Sequence, residues 1–210
     1  MSANLSKTIK NIVTAMIFIA VTIILASCSS SANSTSIKPT VNSNGILVGA
    51  KVYNQTLTIE TGRMDKKPGW PRYVPANFSL PENSIIKLTI INHDDGTAPL
   101  PPSSPWSKVW GSDPTYGLVT GGYETVNGKK VTSINPNDVS HTFTVPGLLI
   151  NVPIPAAVSE SQPAVVVFVF SVSTTGVFHW ICAAPCGSGS TGMGGAMDTS
   201  VWMEGNVEVK

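Results

Sequence analysis

Charged residues are scarce in this sequence. Only 12% of its 210 residues are Asp, Glu, Lys or Arg, and the formal net charge is +1. Two of the lysines, Lys7 and Lys10, lie in the first 27 residues, so the rest of the chain is close to neutral and lacks the basic surface of a nucleic-acid-binding protein. Low charge with abundant apolar residues, Gly and Pro excludes a disordered or coiled-coil chain and favours an all-β globular protein with long loops.

Cysteine and histidine are equally sparse, with three residues of each type. No histidine follows Cys182. The sequence has no Ser-His-Asp arrangement, phosphate-binding loop or paired carboxylates above the level of chance, so hydrolytic chemistry has no support. The thiol and imidazole donors of any metal or redox site must therefore come from Cys28, Cys182, Cys186, His93, His141 and His179. His93, between Asn and Asp residues, is expected to be a solvated turn residue. Strand alternation places His179 on the face opposite Trp180 and Cys182, away from such a site.

Residues 1–27 are predicted to form a secretory signal. Two lysines precede the apolar run "NIVTAMIFIAVTIILA", and the small residues of "LAS" follow it. "LASC" resembles the bacterial lipobox, which implies lipidation of Cys28 as the new N-terminus. The alternative is an uncleaved transmembrane anchor, because the apolar run is almost long enough to span a bilayer. Both interpretations place the rest of the chain outside the cytoplasmic membrane, in the periplasm or at the cell surface.

The rest of the chain divides into a tether and one domain. Residues 28–44 are rich in Ser, Asn and Thr, as in a flexible linker, and residues 45–210 carry a series of strand signals. The strongest are the segment 85–92, the segment 138–154 with a bend at residues 146–147, and the mostly apolar run 163–172, and the pattern as a whole predicts an antiparallel Greek-key β-sandwich.

Residues 94–136 interrupt this pattern as a Pro-, Gly- and Ser-rich insertion, with a possible hairpin turn at residues 126–128. Long loops of this kind are often functional. Its aromatic residues are expected to pin the insertion onto the sandwich, and the alternative is that they form a docking surface. They are Trp106, Trp110, Tyr116 and Tyr123.

Four segments together resemble the cupredoxin superfamily, and in particular the copper (CuA) domain of cytochrome c oxidase subunit II. "DVSHTFTVPGLLINVPIPA" is similar to the first copper-ligand segment of that domain, and "GVFHWICAAPCG" is similar to the second. "MEGNVEVK" resembles its closing strand, and "ANFSLPENSIIKLTIIN" matches the preceding strand pair. The resemblance covers most of residues 75–210 and implies a cupredoxin-like sandwich.

The resemblance also implies a ligand set for copper. By position, His141 is the first histidine, Cys182 and Cys186 are the thiolates, Ala184 offers its backbone carbonyl, and Met203 is the thioether. These donor types suit copper, because thiolate and thioether favour Cu(I) and imidazole suits both oxidation states.

The ligand set departs from the family at one point. The interval between Cys186 and Met203 contains no histidine, although the second imidazole of the family lies there. Counting forward from the cysteines puts Ser190 and Met193 at the ligand positions, whereas counting back from the last strand puts Met203 there, with Asp198 or Ser200 near it. Met193, Met197 or Asp198 is expected to replace that imidazole, or the ligand is absent, so the sequence favours one copper ion over a binuclear centre.

Three functions remain open from the sequence. The first is an extracytoplasmic, lipid-anchored copper protein that carries single electrons to or from a redox protein such as a c-type cytochrome or a respiratory oxidase, with no catalysis of its own. The second is a Cu(I)-binding, copper-handling protein. The third is a metal-free structural or docking domain closed by a Cys182–Cys186 disulfide, because two cysteines in an oxidising compartment can pair.

Overall fold

The computed structural model describes residues 37–64, 66–67, 69–111, 118–187 and 195–210. The predicted signal, Cys28 and Met193 lie outside the described residues. Within the described residues the regular elements are strands and short 3-10 turns, so the predicted all-β class is confirmed. The strands are β1 (Thr40–Val41), β2 (Leu47–Val48), β3 (Val52–Glu60), β4 (Arg72–Val74), β5 (Phe78–Leu80), β6 (Ile85–Asn92), β7 (Val119–Val126), β8 (Lys129–Val131), β9 (Val139–Val145), β10 (Ile150–Pro155), β11 (Ala164–Ser171), β12 (Gly176–Ile181) and β13 (Glu204–Val209).

Two sheets enclose the core. One has six strands in the order β4-β3-β6-β11-β7-β8, and the other has five in the order β10-β9-β12-β13-β5. Strands β1 and β2 form a separate two-stranded ribbon. One hydrophobic cluster draws on both sheets, for example Leu88 and Phe168 from the first and Phe143 and Trp180 from the second. The molecule is therefore the sandwich that the sequence predicts.

The sandwich is not antiparallel throughout. Strand β3 pairs with β6 in parallel along its length, from the pair Val52–Ile85 to the pair Ile59–Asn92. Strand β13 pairs with β5 in parallel as well. Apolar alternation along a strand is the same in both pairing modes, and the direction is set by how the chain crosses between strands. The sequence pattern therefore predicted the strands but not these two directions.

The segment 94–136 both covers one sheet and extends the other. A 3-10 turn at Pro105–Ser107 comes first, and β7 and β8 then join the edge of the six-stranded sheet. The predicted turn connects these two strands, with Asn127 at φ 49° and Gly128 at φ 81° as a primed hairpin turn requires.

Among the described residues, no helix has the length and apolar character needed to cross a membrane.

The aromatic residues of this segment hold it in place. Trp106 packs against the core cluster and stacks on Trp110 with 4.6 Å between ring centroids. The Trp110 indole N–H donates to the Pro105 carbonyl at 2.9 Å. Lys130 lies 3.7 Å from the ring centroid of Tyr123. These contacts agree with the pinning role expected for the aromatics, while Tyr116 lies outside the described residues.

Candidate metal centre

Two neighbouring strands bring the predicted ligands together. His141 lies on β9, and the end of β12 pairs with the same strand through Ile181 and Thr144. The chain therefore leaves β12 beside His141 and immediately places Cys182 and Cys186. The ligand atoms of His141, Cys182 and Cys186 all lie within 4.8 Å of one another, and all three residues are buried.

The imidazole of His141 is oriented by Asp94, a residue that the sequence did not single out. Its Nε2 lies 3.1 Å from the Asp94 Oδ2, and the Gly96 amide donates to the other carboxylate oxygen at 3.1 Å. Nδ1 of His141 is buried and has no hydrogen-bond partner. A carboxylate on one ring nitrogen with the other left free is the usual arrangement of a metal-binding histidine, so Nδ1 is the nitrogen available to a metal.

The charges of the site are strongly coupled. Burial by itself lowers the pKa of His141, but the Asp94 carboxylate and the nearby Cys182 sulfur outweigh it and raise the pKa to about 9. Burial raises the pKa of Asp94, and the hydrogen bond and the charge of His141 bring it below its usual value. Without a metal, His141 is therefore protonated at neutral pH, and a metal cation would take the place of the proton on Nδ1.

The two cysteine side chains lie side by side, and their pKa values are shifted in opposite directions. Both are free, and their sulfur atoms lie 2.7 Å apart. Burial raises the pKa of Cys182, but the contact with the Cys186 thiol and the positive charge of His141 hold that pKa well below its usual value. Burial and the adjacent Cys182 raise the pKa of Cys186 well above its usual value. Cys182 is thus ready to bind a metal, and Cys186 must lose a proton to do so.

The turn between the cysteines points a carbonyl group at the site. Ala184 is fully buried, and its carbonyl oxygen accepts the Cys186 amide at 2.7 Å and lies 3.6 Å from the Cys182 sulfur. The amide of Thr142 is a further donor to that sulfur, at 3.4 Å. The position of the Ala184 carbonyl is compatible with the role that the resemblance implies.

Met197 is the methionine whose sulfur contacts a predicted ligand. Its Sδ lies 3.4 Å from the Cys186 sulfur. A 3-10 turn, Gly195–Asp198, carries it back to the site, and this turn is held by the hydrogen bond from the Ala196 amide to the Gly187 carbonyl at 3.1 Å. The loop between the cysteines and the last strand therefore returns a thioether to the Cys186 side of the site.

The other residues expected as copper ligands are Met203, Asp198 and Met193. Met203 is buried, and its carbonyl oxygen accepts the Cys182 amide at 2.9 Å, so its backbone is fixed beside the site. Asp198 is exposed, and Met193 lies outside the described residues. Of the two remaining histidines, His179 is exposed and pairs with Glu204, as strand alternation predicts. His93 was expected to be solvated but is half-buried, with Nδ1 2.7 Å from the Glu160 carbonyl.

The donor set fits copper. Two cysteine sulfurs, one imidazole nitrogen without a partner and a thioether lie together, and these soft or borderline donors suit copper in its lower oxidation state. The buried Nδ1 without a partner supports the same interpretation, because a buried polar atom of this kind calls for a ligand.

A cleft of about 320 Å³ opens beside the cysteine pair. Asp94, Ser140 and Cys186 contribute to its wall, and the hydroxyl oxygen of Ser140 is buried without a hydrogen-bond partner. No Lys or Arg lies among the described residues that line it. The cleft therefore offers access to the Cys186 side of the site for a neutral or cationic species.

Comparisons with known proteins give a likeness of fold. No protein-family model and no curated protein sequence matches the chain. Reduced rusticyanin is 11% identical over 83% of this chain and 90% of its own length, with a TM-score of 0.35. Rusticyanin from Thiobacillus ferrooxidans is 12% identical over 83% of this chain and 88% of its own, with a TM-score of 0.33.

A copper-containing nitrite reductase from Thermus scotoductus SA-01 is 10% identical over 76% of this chain, with a TM-score of 0.36. The match spans 31% of that reductase. With identities and TM-scores this low the likeness carries no argument about function, which has to be argued from the residues of the site.

Proposed function

We propose that this chain is a cupredoxin-like copper protein that carries single electrons and binds one copper ion. The observation that carries the proposal is the buried group of His141, Cys182 and Cys186, with Nδ1 left free by the Asp94 contact and a third sulfur from Met197 beside it. Copper in such a site supplies a one-electron redox couple.

The chain itself supplies rigidity and exclusion of water. His141 and both cysteines are at most 4% exposed, and the hydrogen bond to Asp94 fixes the imidazole ring. Tyr73 and Trp180 pack in the core nearby, with 4.7 Å between their ring centroids, and the Tyr73 hydroxyl donates to the Thr142 carbonyl at 3.0 Å. A site held this firmly changes little on oxidation, which favours fast electron transfer over turnover of a substrate.

The finer features of the proposal come from the sequence. The lipobox-like "LASC" supports a lipid anchor at Cys28 and a location in the periplasm or at the cell surface. The order of the ligand segments supports a relation to cytochrome c oxidase subunit II, and with it a redox partner such as a c-type cytochrome or a respiratory oxidase.

A second candidate function is the handling of Cu(I). Two observations favour it: the three sulfur donors suit Cu(I), and the cleft beside Cys186 gives an incoming carrier access to the site. A cleft wall with a carboxylate and no cation among its described residues suits the passage of a copper cation. Both functions require copper, and they differ in whether the ion stays.

Copper uptake by the reduced protein, followed by visible absorption after oxidation, tests these functions. An electron carrier is expected to bind one copper per chain and to show a strong thiolate-to-Cu(II) band. A copper-handling protein is expected to bind Cu(I), to stay colourless and to give the ion up to a competing chelator. If the reduced protein takes up no copper, both proposals fail and the disulfide-closed docking domain becomes the better account.

Matched variants sharpen this test. Cys182→Ser is expected to abolish uptake, and His141→Ala is expected to weaken it and to change the absorption band. The control for His141→Ala is His179→Ala, because His179 is exposed and lies on the face of β12 opposite to the buried Trp180. Equal loss of binding in His141→Ala and His179→Ala would contradict the assignment of His141 as a ligand.

A further inference from the structure

A chain of buried hydrogen bonds runs from the cysteine turn to the segment that covers the five-stranded sheet. The Ala183 amide donates to the Thr142 hydroxyl oxygen at 2.7 Å. The Thr142 and Thr144 hydroxyl oxygens lie 2.8 Å apart, and the Thr144 hydroxyl donates to the Asn151 Oδ1 at 2.7 Å. All three side chains, Thr142, Thr144 and Asn151, are fully buried.

At its other end, this series of hydrogen bonds reaches the backbone of residues 106 and 108. The side-chain amide of Asn151 donates to the Trp106 carbonyl at 2.9 Å and to the Lys108 carbonyl at 2.7 Å. The backbone of the same residue accepts the Trp110 amide at 2.9 Å. Asn151 thus holds both the 3-10 turn Pro105–Ser107 and the residues 108–110 that follow it.

The positions of the protons in this chain follow from its two ends. Asn151 Oδ1 can only accept, so the single hydroxyl proton of Thr144 is committed to it. The proton between the two threonines must then come from Thr142, whose oxygen is left to accept from Ala183. Every donor points away from the cysteine turn, so the bonds polarise one another in the same direction.

We propose that Thr142, Thr144 and Asn151 act as positioning residues for the metal site, through a one-directional hydrogen-bond relay that couples the cysteine turn to the segment 105–110. The relay holds the Ala183 amide, and Thr142 also donates its own amide to the Cys182 sulfur at 3.4 Å. It therefore fixes both the peptide that follows Cys182 and a donor to its sulfur. Only its effect on copper rests on the proposed function.

The relay is tested first in the reduced, metal-free protein by amide NMR and hydrogen exchange. Thr142→Val removes the acceptor of the Ala183 amide, so we expect exchange at Ala183 to accelerate about tenfold and its amide proton resonance to move upfield. Thr144→Val leaves the Thr142 hydroxyl in place as the acceptor of the Ala183 amide. A relay nevertheless predicts faster exchange and an upfield shift at Ala183, both smaller than in Thr142→Val, whereas isolated hydrogen bonds predict no change. Thr144→Ser restores the hydroxyl and should restore the wild-type values.

Two further variants guard against a trivial result. Thr89→Val, a strand threonine of the other sheet, is the matched control and should leave Ala183 unchanged. Asn151→Asp gives Thr144 a stronger acceptor and removes both donors, so the Lys108 region should change and the Ala183 amide resonance should move downfield, opposite to Thr144→Val. If Thr144→Val folds and leaves Ala183 as in the wild type, or does not fold while Asn151→Asp leaves Ala183 unchanged or moves it upfield, the relay is overturned.

The copper-loaded protein provides the second arm. Donors to a thiolate sulfur stabilise the reduced state, so Thr144→Val should lower the midpoint potential and shift the thiolate-to-copper band, whereas Thr144→Ser should do neither. Absence of copper uptake with an intact relay in the metal-free protein would overturn the proposed function alone. Normal uptake with identical potentials and spectra in wild type and Thr144→Val would overturn the coupling alone.

Discussion

Glu124 is a buried carboxyl group whose replacement should change how stability depends on pH. It lies on β7 opposite Phe168 of β11, is fully buried, and neither of its carboxylate oxygens has a hydrogen-bond partner. Burial raises its pKa from 4.5 to about 9. The folded protein therefore keeps this group neutral at pH 7, while the unfolded chain ionises it.

The sign of the effect follows from proton binding. Between the unfolded pKa of 4.5 and the folded pKa of about 9, the folded state holds a proton that the unfolded state has lost. The free energy of unfolding therefore falls as the pH rises through this window. Each pKa unit corresponds to about 1.4 kcal/mol, so the contribution lost between pH 5 and pH 8 is about 2 to 4 kcal/mol when partial relaxation around the charge is allowed for.

Urea denaturation of the reduced protein at pH 5 and pH 8 measures this loss. Glu124→Gln removes the ionisation and keeps the shape, so its unfolding free energy should match that of the wild type at pH 5 and exceed it by about 2 to 4 kcal/mol at pH 8. The exposed Glu82 is the matched control, and Glu82→Gln should retain the wild-type dependence on pH. If Glu124→Gln loses stability with pH as steeply as the wild type, the group is not neutral in the folded protein.

Three further predictions concern the site and its support. Asp94→Asn should lower copper affinity about 10- to 100-fold, because the amide no longer orients His141 as a carboxylate does. Met197→Leu should lower Cu(I) affinity about tenfold, as loss of one soft ligand, measured by competition with a Cu(I) chelator. Gly205→Ala should reduce the free energy of unfolding by about 2 to 4 kcal/mol in urea, since its Cβ would overlap the Ala76 carbonyl oxygen.

Each of these variants has a control of the same chemistry elsewhere. Asp95→Asn alters an exposed carboxylate that pairs with Arg63 and should leave copper affinity unchanged. Met64→Leu alters an exposed thioether and should leave Cu(I) affinity unchanged. Gly147→Ala places a Cβ 3.2 Å from the Phe178 ring, which can move, and should be milder than Gly205→Ala. Equal effects within any pair would contradict the corresponding argument.

Local patterns in the sequence predicted the strands that carry the site. The apolar segment 85–92 is strand β6 with the expected bounds, and the segment 138–154, expected as a strand with a bend at residues 146–147, is the pair of strands β9 and β10. The alternation in "GVFHWIC" placed His179 away from Trp180, and the structure leaves the first exposed and the second buried. Such features depend on the period of the side chains, which the sequence contains. The parallel pairing of β3 with β6 and of β5 with β13 depends on how the chain crosses between strands, and the sequence pattern does not show these crossings.

The contacts of the candidate metal site also divide into those that the sequence predicts and those that it does not. His141 and the two cysteines follow from strand ends and a short turn, and the structure brings all three together. Asp94 was missed because "HDDG" looks like an ordinary solvated turn, and its role arises only when that turn folds over β9, 47 residues later in the chain.

Met197 shows why counting along the loop could not decide between the candidate thioethers. From the cysteines the count pointed to Met193, and from the last strand it pointed to Met203. The loop is closed by the hydrogen bond between Ala196 and Gly187, and this contact, rather than distance along the chain, sets Met197 beside Cys186. A Cβ at Gly187 would lie 2.8 Å from the Cβ of Ala196, so the close approach depends on glycine at that position. The position of the Met197 thioether is thus a property of how the loop closes, and it follows that changes at Gly187 should alter Cu(I) affinity as strongly as changes at Met197 itself.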